Sequence, residues 1–338
     1  MRSTMRRLGA VAALALGLSL TAACGGESDE PSKDAPANAA GAFPVTIEHK
    51  LGTATIESEP KRIVALGEAD QDALLALGVQ PVGMAELTGV QDDGLAPWTA
   101  SKITGEKPKL LKAGEAGFSI EEIAALQPDL ILAGGDYYID QEYEKLSKLA
   151  PTVAYTTGPA EDSWQAVTAQ AAKAVGREAD GGKLIGEVEN KIEAVVTSHP
   201  ELKDKGFAFT SVFPSGNIGV MKSETDTSVK LLSRFGLVLP DEIKKLPGEG
   251  FAAELSIEKA GVLDTDILIS HYNDDPATQK KIESSGVFSN LKVVKRGSYV
   301  AIDLKAFWPL RTPTALAVPY VVDEVVPQIA EAAKKAAS

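Results

Sequence analysis

Apolar and polar positions follow the same arrangement in two separate stretches of this chain. The first spans residues 119–133 and the second residues 256–270, and in register they share serine, isoleucine, glutamate, leucine and aspartate at five positions. In the first stretch, Ile120, Ile123 and Leu126 have helical spacing, and a continuous apolar run of strand length follows them. Each stretch therefore predicts a short helix that leads into a buried strand, and the repetition predicts two similar lobes.

Strand-like and helix-like segments also alternate in the rest of the chain. Residues 63–67 and 207–213 are apolar runs of strand length, while residues 69–77 and 227–235 have helical periodicity and a glycine directly after them. This order of elements is typical of α/β lobes with mostly parallel sheets.

The longest helical pattern lies between the two repeated stretches. It covers residues 178–198 and places Val188 and Ile192 on one apolar face. A helix of this length is about 30 Å long, which is about the width of a small domain. We therefore predict that one long helix joins an N-terminal lobe, residues 43–177, to a C-terminal lobe, residues 199–338.

The first residues of the chain predict export and attachment to a membrane. Residues 1–23 contain three arginines, then an apolar run, then small residues, which is typical of a signal peptide and too short for a stable membrane span. Cys24, the only cysteine, ends a Thr-Ala-Ala-Cys sequence that resembles a bacterial lipoprotein cleavage site. An ordinary cleavage site with an incidental cysteine is the alternative. Residues 24–42 lack apolar periodicity and predict a flexible tether, so we expect an extracytoplasmic, lipid-anchored protein.

Charge and composition restrict the class of partner. Apolar residues make up 44% of the chain and charged residues 24%, as in ordinary soluble proteins, and the net charge is −13. Because the predicted signal peptide contains only basic charges, the mature chain would be more acidic still. This composition argues against a nucleic-acid partner, since phosphate binding needs clustered lysine and arginine. We expect a monomer.

The sequence shows no motif of a common hydrolase, nucleotide-binding protein or zinc enzyme. The histidines, His49, His199 and His271, lie in separate segments without metal-ligand spacing, so we expect neither a directly bound metal nor catalytic residues. An enzyme on the same two-lobed scaffold is the alternative, and a cleft cluster with perturbed titration would favour it.

Residues that follow the predicted strands are the candidates for ligand binding, because ligands of open parallel sheets lie beyond the carboxyl ends of the strands. Trp98 and Trp308 lie in proline-flanked loops, where either could instead pack the lobes together. Arg311 could meet an acidic group of a ligand through its planar guanidinium, or it could form a salt bridge between loops. The predicted ligand-binding residues are Glu68, Trp98, Tyr138, Phe213, Tyr272, Trp308 and Arg311.

Several segments together resemble the iron–siderophore substrate-binding lipoproteins that deliver ligands to ABC importers and that belong with the cobalamin and haem binders. The resemblance runs from Phe43 to the C-terminus. It implies two α/β lobes joined by one long helix (the class III periplasmic-binding-protein arrangement), a ferric siderophore as the transported ligand, no covalent cofactor, and an ABC permease as partner. The segments that carry it are residues 43–49, 60–66, 76–83, 123–132 and 149–153.

The resemblance also implies a role for the repeated glutamates. In that family each lobe presents a glutamate to arginines of the permease, and the matching positions are Glu121 and Glu258. Ser119 and Glu122 form a capping-box pattern, which would give Glu122 a structural role. The alternative for Glu121 and Glu258 is that each complements the dipole of its helix, for about 0.3–1 kcal/mol.

Two departures from the family pattern concern the ligand. Glu68 and its small neighbours stand where relatives often carry an aromatic residue, and no arginine and lysine triad suited to a triply charged catecholate is evident. We therefore expect a hydroxamate or mixed ferric siderophore. Haem or a corrinoid is the alternative, in which Tyr137, Tyr138 and Tyr272 stay open as axial ligands.

Overall fold

The computed structural model describes residues 42–159 and 161–336. The predicted signal peptide, Cys24 and all but the last residue of the predicted tether lie outside the described residues. Within the described ranges, no helix has both the length and the apolar character that crossing a bilayer would need.

The N-terminal lobe is built on a five-stranded sheet in which every neighbouring pair is parallel, in the order β5-β4-β3-β6-β7. A separate antiparallel hairpin, β1 and β2, packs against one face of this sheet. The strands are β1 (Val45–His49), β2 (Gly52–Ile56), β3 (Ile63–Ala65), β4 (Gly83–Ala85), β5 (Lys109–Leu111), β6 (Leu130–Leu132) and β7 (Thr152–Val153).

Helices cover both faces of this sheet, because alternate residues of the buried strands point to opposite sides. Ile63 and Ala65 belong to the apolar cluster under the hairpin, and Val64 belongs to the cluster on the other face. The helices are α1 (Glu68–Ala76), α2 (Pro97–Ala100), α3 (Ile120–Ala125), α4 (Ile139–Leu146) and α5 (Trp164–Ala174).

The long helix α6 (Glu178–Ser198) has the bounds predicted from the sequence. Near its start, buried Gly181 packs closely against Ala172 of α5 in the N-terminal lobe. Further along, Val188, Ile192 and Val195 enter the core of the C-terminal lobe. The helix is therefore anchored in both lobes, and the predicted two-lobed α/β fold is confirmed.

The C-terminal sheet repeats the strand order of the N-terminal sheet. Its order is β10-β9-β8-β11-β12, so the first strand of each lobe is central and the strands of the two repeated stretches, β6 and β11, occupy equivalent positions. This second sheet is mixed, since β9 returns from β8 through a short turn and runs antiparallel to both of its neighbours. Its strands are β8 (Phe207–Val212), β9 (Ile218–Met221), β10 (Ala252–Leu255), β11 (Ile267–His271) and β12 (Tyr299–Ile302).

The second repeated stretch begins with a 3₁₀ helix, Ile257–Leu263, where the first has the α-helix α3. Residues 305–311, expected to be a loop, belong to a helix that Asp303 caps by accepting the Ala306 N–H. The remaining helical segments are a 3₁₀ turn (Pro200–Leu202), α7 (Thr227–Arg234), α8 (Asp241–Lys244), α9 (Pro276–Glu283), α10 (Gly286–Ser289), α11 (Lys292–Lys295), α12 (Leu304–Arg311), α13 (Ala317–Tyr320), a π-helical turn (Val321–Val325) and α14 (Val326–Ala336).

The lobes also meet in an apolar cluster away from α6, which we call the interlobe cluster. It contains buried Leu75, Met84 and Trp98 from the N-terminal lobe with Leu316 and Ala317 from the C-terminal lobe. The contact between the lobes is therefore held by side chains as well as by the connecting helix.

Candidate functional site

One hydrogen bond joins the two lobes at the predicted ligand site. Glu68 is the first residue of α1, just beyond the carboxyl end of β3, and Trp308 lies in α12, just beyond β12. The Trp308 Nε1–H donates to Glu68 Oε2 over 2.8 Å. Two of the predicted binding residues, 240 positions apart, thus meet between the lobes, each in a helix that follows a strand of its own sheet.

Close backbone contact fixes the position of Glu68. A Cβ atom on Gly67 would lie 2.6 Å from the Gly135 Cα, so a side chain does not fit there. Buried Asp70 then ties the two segments together, because its carboxylate accepts the N–H groups of Gly134 (3.1 Å) and Gly135 (2.8 Å). The start of α1 and the loop after β6 therefore form one rigid edge of the cleft.

Glu68 is an unusual carboxylate in its electrostatic setting. Burial is the main reason that the pKa of Glu68 rises to about 7. The hydrogen bond from Trp308 lowers this pKa, and the nearby charge of Asp72 raises it. No salt bridge involves Glu68 within the described residues. It is thus an acid that changes its charge near neutral pH and forms no ion pair with a cation in the described part of the chain.

Tyr137 is a cleft residue that the predictions placed second to Tyr138. Tyr137 is 70% exposed. Partial burial of its hydroxyl and the charge of Glu68 raise the pKa of that hydroxyl, while the charge of Arg311 lowers it. Tyr138 is half-buried at the start of α4, where its N–H donates to Asp136 over 2.9 Å. The hydroxyl of Tyr137 is thus electrostatically coupled to both Glu68 and Arg311.

Arg311 is held on the C-terminal side of the cleft. Its Nη1 donates to Asp226 Oδ2 at 2.5 Å and to the Ser228 hydroxyl at 3.1 Å, and its guanidinium lies 5.3 Å from the ring centre of Phe251. Asp226 is buried and also caps α7 by accepting backbone N–H groups. The interloop salt bridge, left open as an alternative, is therefore formed, and it neutralises Arg311.

Two predicted ligand residues lie in the core instead. Trp98 is 6% exposed, because α2 folds it back onto α1, where its indole N–H donates to Asp72 at 3.0 Å and its ring packs on Tyr320. Tyr272 is 3% exposed and shares a hydrogen bond of 2.9 Å with the Tyr299 hydroxyl. Both side chains are packed in the core, so the structure does not bring Trp98 or Tyr272 together with Glu68 and Trp308.

Exposed aromatic side chains lie at opposite ends of the C-terminal sheet. Phe213, directly after β8, is 42% exposed, and Phe251, directly before β10, is 50% exposed. Phe251 and Asp226 were not predicted as site residues. The Gly-Phe pair before each repeated stretch and the aspartate before α7 are the signals that could have identified them.

Several other acids near the cleft have perturbed titration, the feature that would favour an enzyme. Burial raises the pKa of Asp70 and Glu142 to about 7, and that of Asp72 and Asp136 to about 6. Each of these carboxylates accepts hydrogen bonds that fix protein segments; Glu142, for example, holds the Phe118 N–H. Burial at these positions raises the pKa values, and the hydrogen bonds oppose the rise. Among the described residues, no group of three or more histidines and acids is placed to hold a metal ion.

The repeated glutamates are exposed at equivalent places in the two lobes. The Ser119 hydroxyl donates to Glu121 at 3.2 Å, and a hydrogen bond from the Ser256 side chain lowers the pKa of Glu258. Ser119 also accepts the Glu122 N–H, but in the described part of the chain the Glu122 carboxylate does not return a bond, so the capping box is only half formed. Neither repeated glutamate forms a salt bridge with a described residue.

The chain belongs to the periplasmic binding protein family, whose model matches residues 63–306. The Bacillus subtilis protein YhfQ, named provisionally as an ABC transporter substrate-binding lipoprotein, is 30% identical over 308 residues, which cover 86% of this chain and 88% of that protein. The iron(3+)-hydroxamate-binding protein YxeB of the same organism is 25% identical over 307 residues, which cover 88% of this chain and 90% of YxeB.

Solved structures of the same kind share the fold. The Streptococcus pneumoniae protein PiaA in complex with ferrichrome superposes with a TM-score of 0.71 at 28% identity, covering 86% of this chain and 99% of that one. A periplasmic solute-binding protein from Mycobacterium smegmatis superposes with a TM-score of 0.74 at 27% identity. The match covers 86% of this chain and 98% of that protein. The resemblance inferred from sequence segments is thereby confirmed at the level of family and fold.

Proposed function

We propose that this chain binds a ferric siderophore between its lobes and delivers it to an ABC importer without chemical change. The observation that carries the proposal is the contact between Glu68 and Trp308, which brings predicted binding residues of both lobes together at 2.8 Å. Tyr137 and Arg311 border the same place. The relatives named for iron–hydroxamate binding and the structure with ferrichrome support this class of ligand.

The charges of the cleft favour a hydroxamate or mixed siderophore over a catecholate. A triply charged catecholate complex needs several unpaired cations. Arg311 is already paired with Asp226, and Glu68 adds a negative charge. A ferric complex without a high negative charge fits this cleft best.

Tryptophan fluorescence tests the ligand class. Of the three tryptophans, Trp98 and Trp164 are buried and Trp308 lies in the cleft. We expect a ferric hydroxamate to quench the wild type saturably, and the Trp308→Phe variant to lose most of that quenching. Haem and cyanocobalamin should cause no saturable quenching. Saturable quenching by haem or cobalamin alone would assign the cleft to one of those ligands instead.

The permease is proposed to hold the two lobes through Glu121 and Glu258. Both carboxylates are exposed, both occupy the first turn of the helix in a repeated stretch, and each takes a hydrogen bond from the serine two residues before it. A matched pair of anions, one per lobe, suits a partner with two basic sites.

Charge reversal separates docking from ligand binding. The double variant Glu121→Lys/Glu258→Lys should bind the ferric ligand as the wild type does, while uptake of radiolabelled iron in cells that depend on this protein should be lost. The control Glu144→Lys/Glu193→Lys makes the same change of charge at exposed positions of α4 and α6 and should support uptake. Normal uptake by the first variant would show that these glutamates do not dock the permease.

We further propose that Cys24 carries a lipid that tethers the mature protein to the outer face of the cell membrane. The sequence around Cys24 and the lipoprotein names of relatives support this. A Cys24→Ala variant should appear in the soluble fraction or the medium, while the wild type fractionates with membranes. Membrane fractionation of the variant would favour a tether of another kind.

A further inference from the structure

The charged side chains at the cleft leave one negative charge unbalanced. Arg311 and Asp226 neutralise each other at 2.5 Å, whereas Glu68 has no salt bridge within the described residues. The Trp308 N–H occupies Glu68 Oε2, and no described residue donates to Oε1. A carboxylate oxygen at the boundary of the two lobes is therefore available to a ligand.

The surroundings of this oxygen are aromatic. The Trp308 indole contacts Glu68 directly, and the ring of Tyr137 is exposed and close enough for the charge of Glu68 to raise the pKa of its hydroxyl. A carboxylate beside exposed aromatic rings is the arrangement that binds organic cations, because the ring faces and the carboxylate all attract positive charge. An anion approaching the same place would be repelled.

We propose that Glu68 binds a cationic arm of the ligand, such as a primary ammonium group, so that the cleft selects positively charged ferric complexes over neutral or anionic ones. The inference rests on the proposed function, since it concerns the ligand of the same cleft. The iron-binding groups would then be recognised by the aromatic and polar walls, and the charge of the remaining arm by Glu68.

A pair of probes that differ in one charge tests this selection. Ferrioxamine B is a ferric hydroxamate with a free ammonium arm, and acetylation of that amine removes the charge without changing the iron-binding groups. By fluorescence titration at pH 8, we expect the wild type to bind the ammonium form about tenfold more tightly, as for one charge-assisted hydrogen bond. Glu68→Gln, which can still accept the Trp308 N–H, should bring the ratio of the two affinities close to one.

The control variant is Glu193→Gln, which removes the same charge from an exposed position of α6 and should keep the wild-type ratio. Equal affinities in the wild type, or a ratio that Glu68→Gln does not change, would overturn the proposal while leaving the siderophore function in place. Failure of both probes and of every other ferric siderophore to bind would overturn the proposed function as well.

The pH dependence of the affinity ratio in the wild type is a second measurement. It tests the role of Glu68 even if Glu68→Gln does not fold. Because the pKa of Glu68 is about 7, the preference for the ammonium probe should fall several-fold from pH 8 to pH 6 as the carboxylate gains a proton. The other charged groups that act here are Asp72 on α1, Tyr137 before α4 and Arg311 on α12. A ratio that is constant between these pH values would contradict the proposal.

Discussion

Asp72 shows at the residue scale how the lobes are held together. Its buried carboxylate accepts hydrogen bonds from the Trp98 indole at 3.0 Å and the Thr99 hydroxyl at 2.7 Å in its own lobe, and from the Thr314 hydroxyl at 2.5 Å in the other lobe. Burial raises the pKa of Asp72 to about 6, and the three donors oppose that rise. One side chain thus organises the polar edge of the interlobe cluster.

Removal of this carboxylate should be costly. In Asp72→Ala, the buried donors of Trp98, Thr99 and Thr314 lose their acceptor, and each unsatisfied buried group costs about 1–3 kcal/mol. We expect the free energy of unfolding in urea to fall by roughly 3 kcal/mol or more. Asp92→Ala, at an exposed position nearby, should change it by less than about 0.5 kcal/mol. Similar values for the two variants would contradict this role of Asp72.

Sequence position alone predicted the location of some candidate residues in the fold and misplaced others. Glu68, Trp308 and Arg311 were predicted because each follows a strand at the cleft end of a sheet, and the structure places them there. Tyr272 satisfies the same criterion and Trp98 was predicted from its proline-flanked loop, but both lie in the core. Their partners, among them Asp72 and Tyr299, are 26 and 27 positions away, and the pattern of neighbouring residues does not predict such contacts.

At the scale of elements, helix α1 concentrates acids in an apolar setting. Glu68, Asp70 and Asp72 alternate along its first turns, and burial raises the pKa of each, to about 7, 7 and 6. A carboxyl whose pKa is raised on folding contributes stability that is complete below its ordinary pKa and is lost as the pH rises through the folded value.

Because of these raised pKa values, the protein should lose stability as the pH rises toward neutral. We expect the free energy of unfolding to fall between pH 5 and pH 8, by at most about 1.4 kcal/mol per pH unit for each of these acids. The variant Glu68→Gln/Asp72→Asn should show a shallower decline. Urea unfolding at several pH values measures this free energy. A value that rises or stays level between pH 5 and pH 8 would contradict the expected decline.

Two adjacent glycines in α6 should respond in opposite directions to the same substitution. A Cβ on Gly181 would lie 2.3 Å from the Ala172 Cβ, whereas one on Gly182 would meet nothing within 4 Å. Gly181→Ala should therefore destabilise the protein by roughly 1–3 kcal/mol through overpacking. Gly182→Ala should stabilise it by about 0.5–1 kcal/mol through helix propensity. Thermal unfolding distinguishes them, and equal shifts of both variants would contradict the packing at Gly181.

Elements with strong periodicity were predictable, and those set by tertiary contacts were not. The bounds of α6 agree with the prediction because its apolar face continues without interruption. Helix α12 was expected to be a loop, since Pro309 lies inside it and lacks a donor. Its packing keeps it helical: Ala306 and Leu310 are buried in the C-terminal core. The 3₁₀ form of residues 257–263 likewise could not be inferred from its resemblance to α3.

At the scale of the whole molecule, the repeated stretch reflects a repeated lobe. Both sheets have the same strand order, and β6 and β11 occupy equivalent places in it. The sequence predicted the two lobes and their connecting helix, but not the antiparallel β9 or the interlobe cluster. The cluster joins residues more than 200 positions apart, such as Leu75 and Leu316, whose contact no local pattern indicates.

The position of the iron in a bound complex tests the assignment of the cleft most directly. A cavity of about 640 Å³ opens at the amino ends of β8 and β11, away from the cleft, and its lining includes Asp204, Asp264 and Arg296. Anomalous X-ray diffraction from a crystal of the protein with a ferric hydroxamate locates the iron directly. We expect one iron site between the lobes, bordered by Tyr137, Trp308 and Arg311. An iron site in the cavity beside Asp204 and Asp264, or anywhere else outside the cleft, would contradict this assignment.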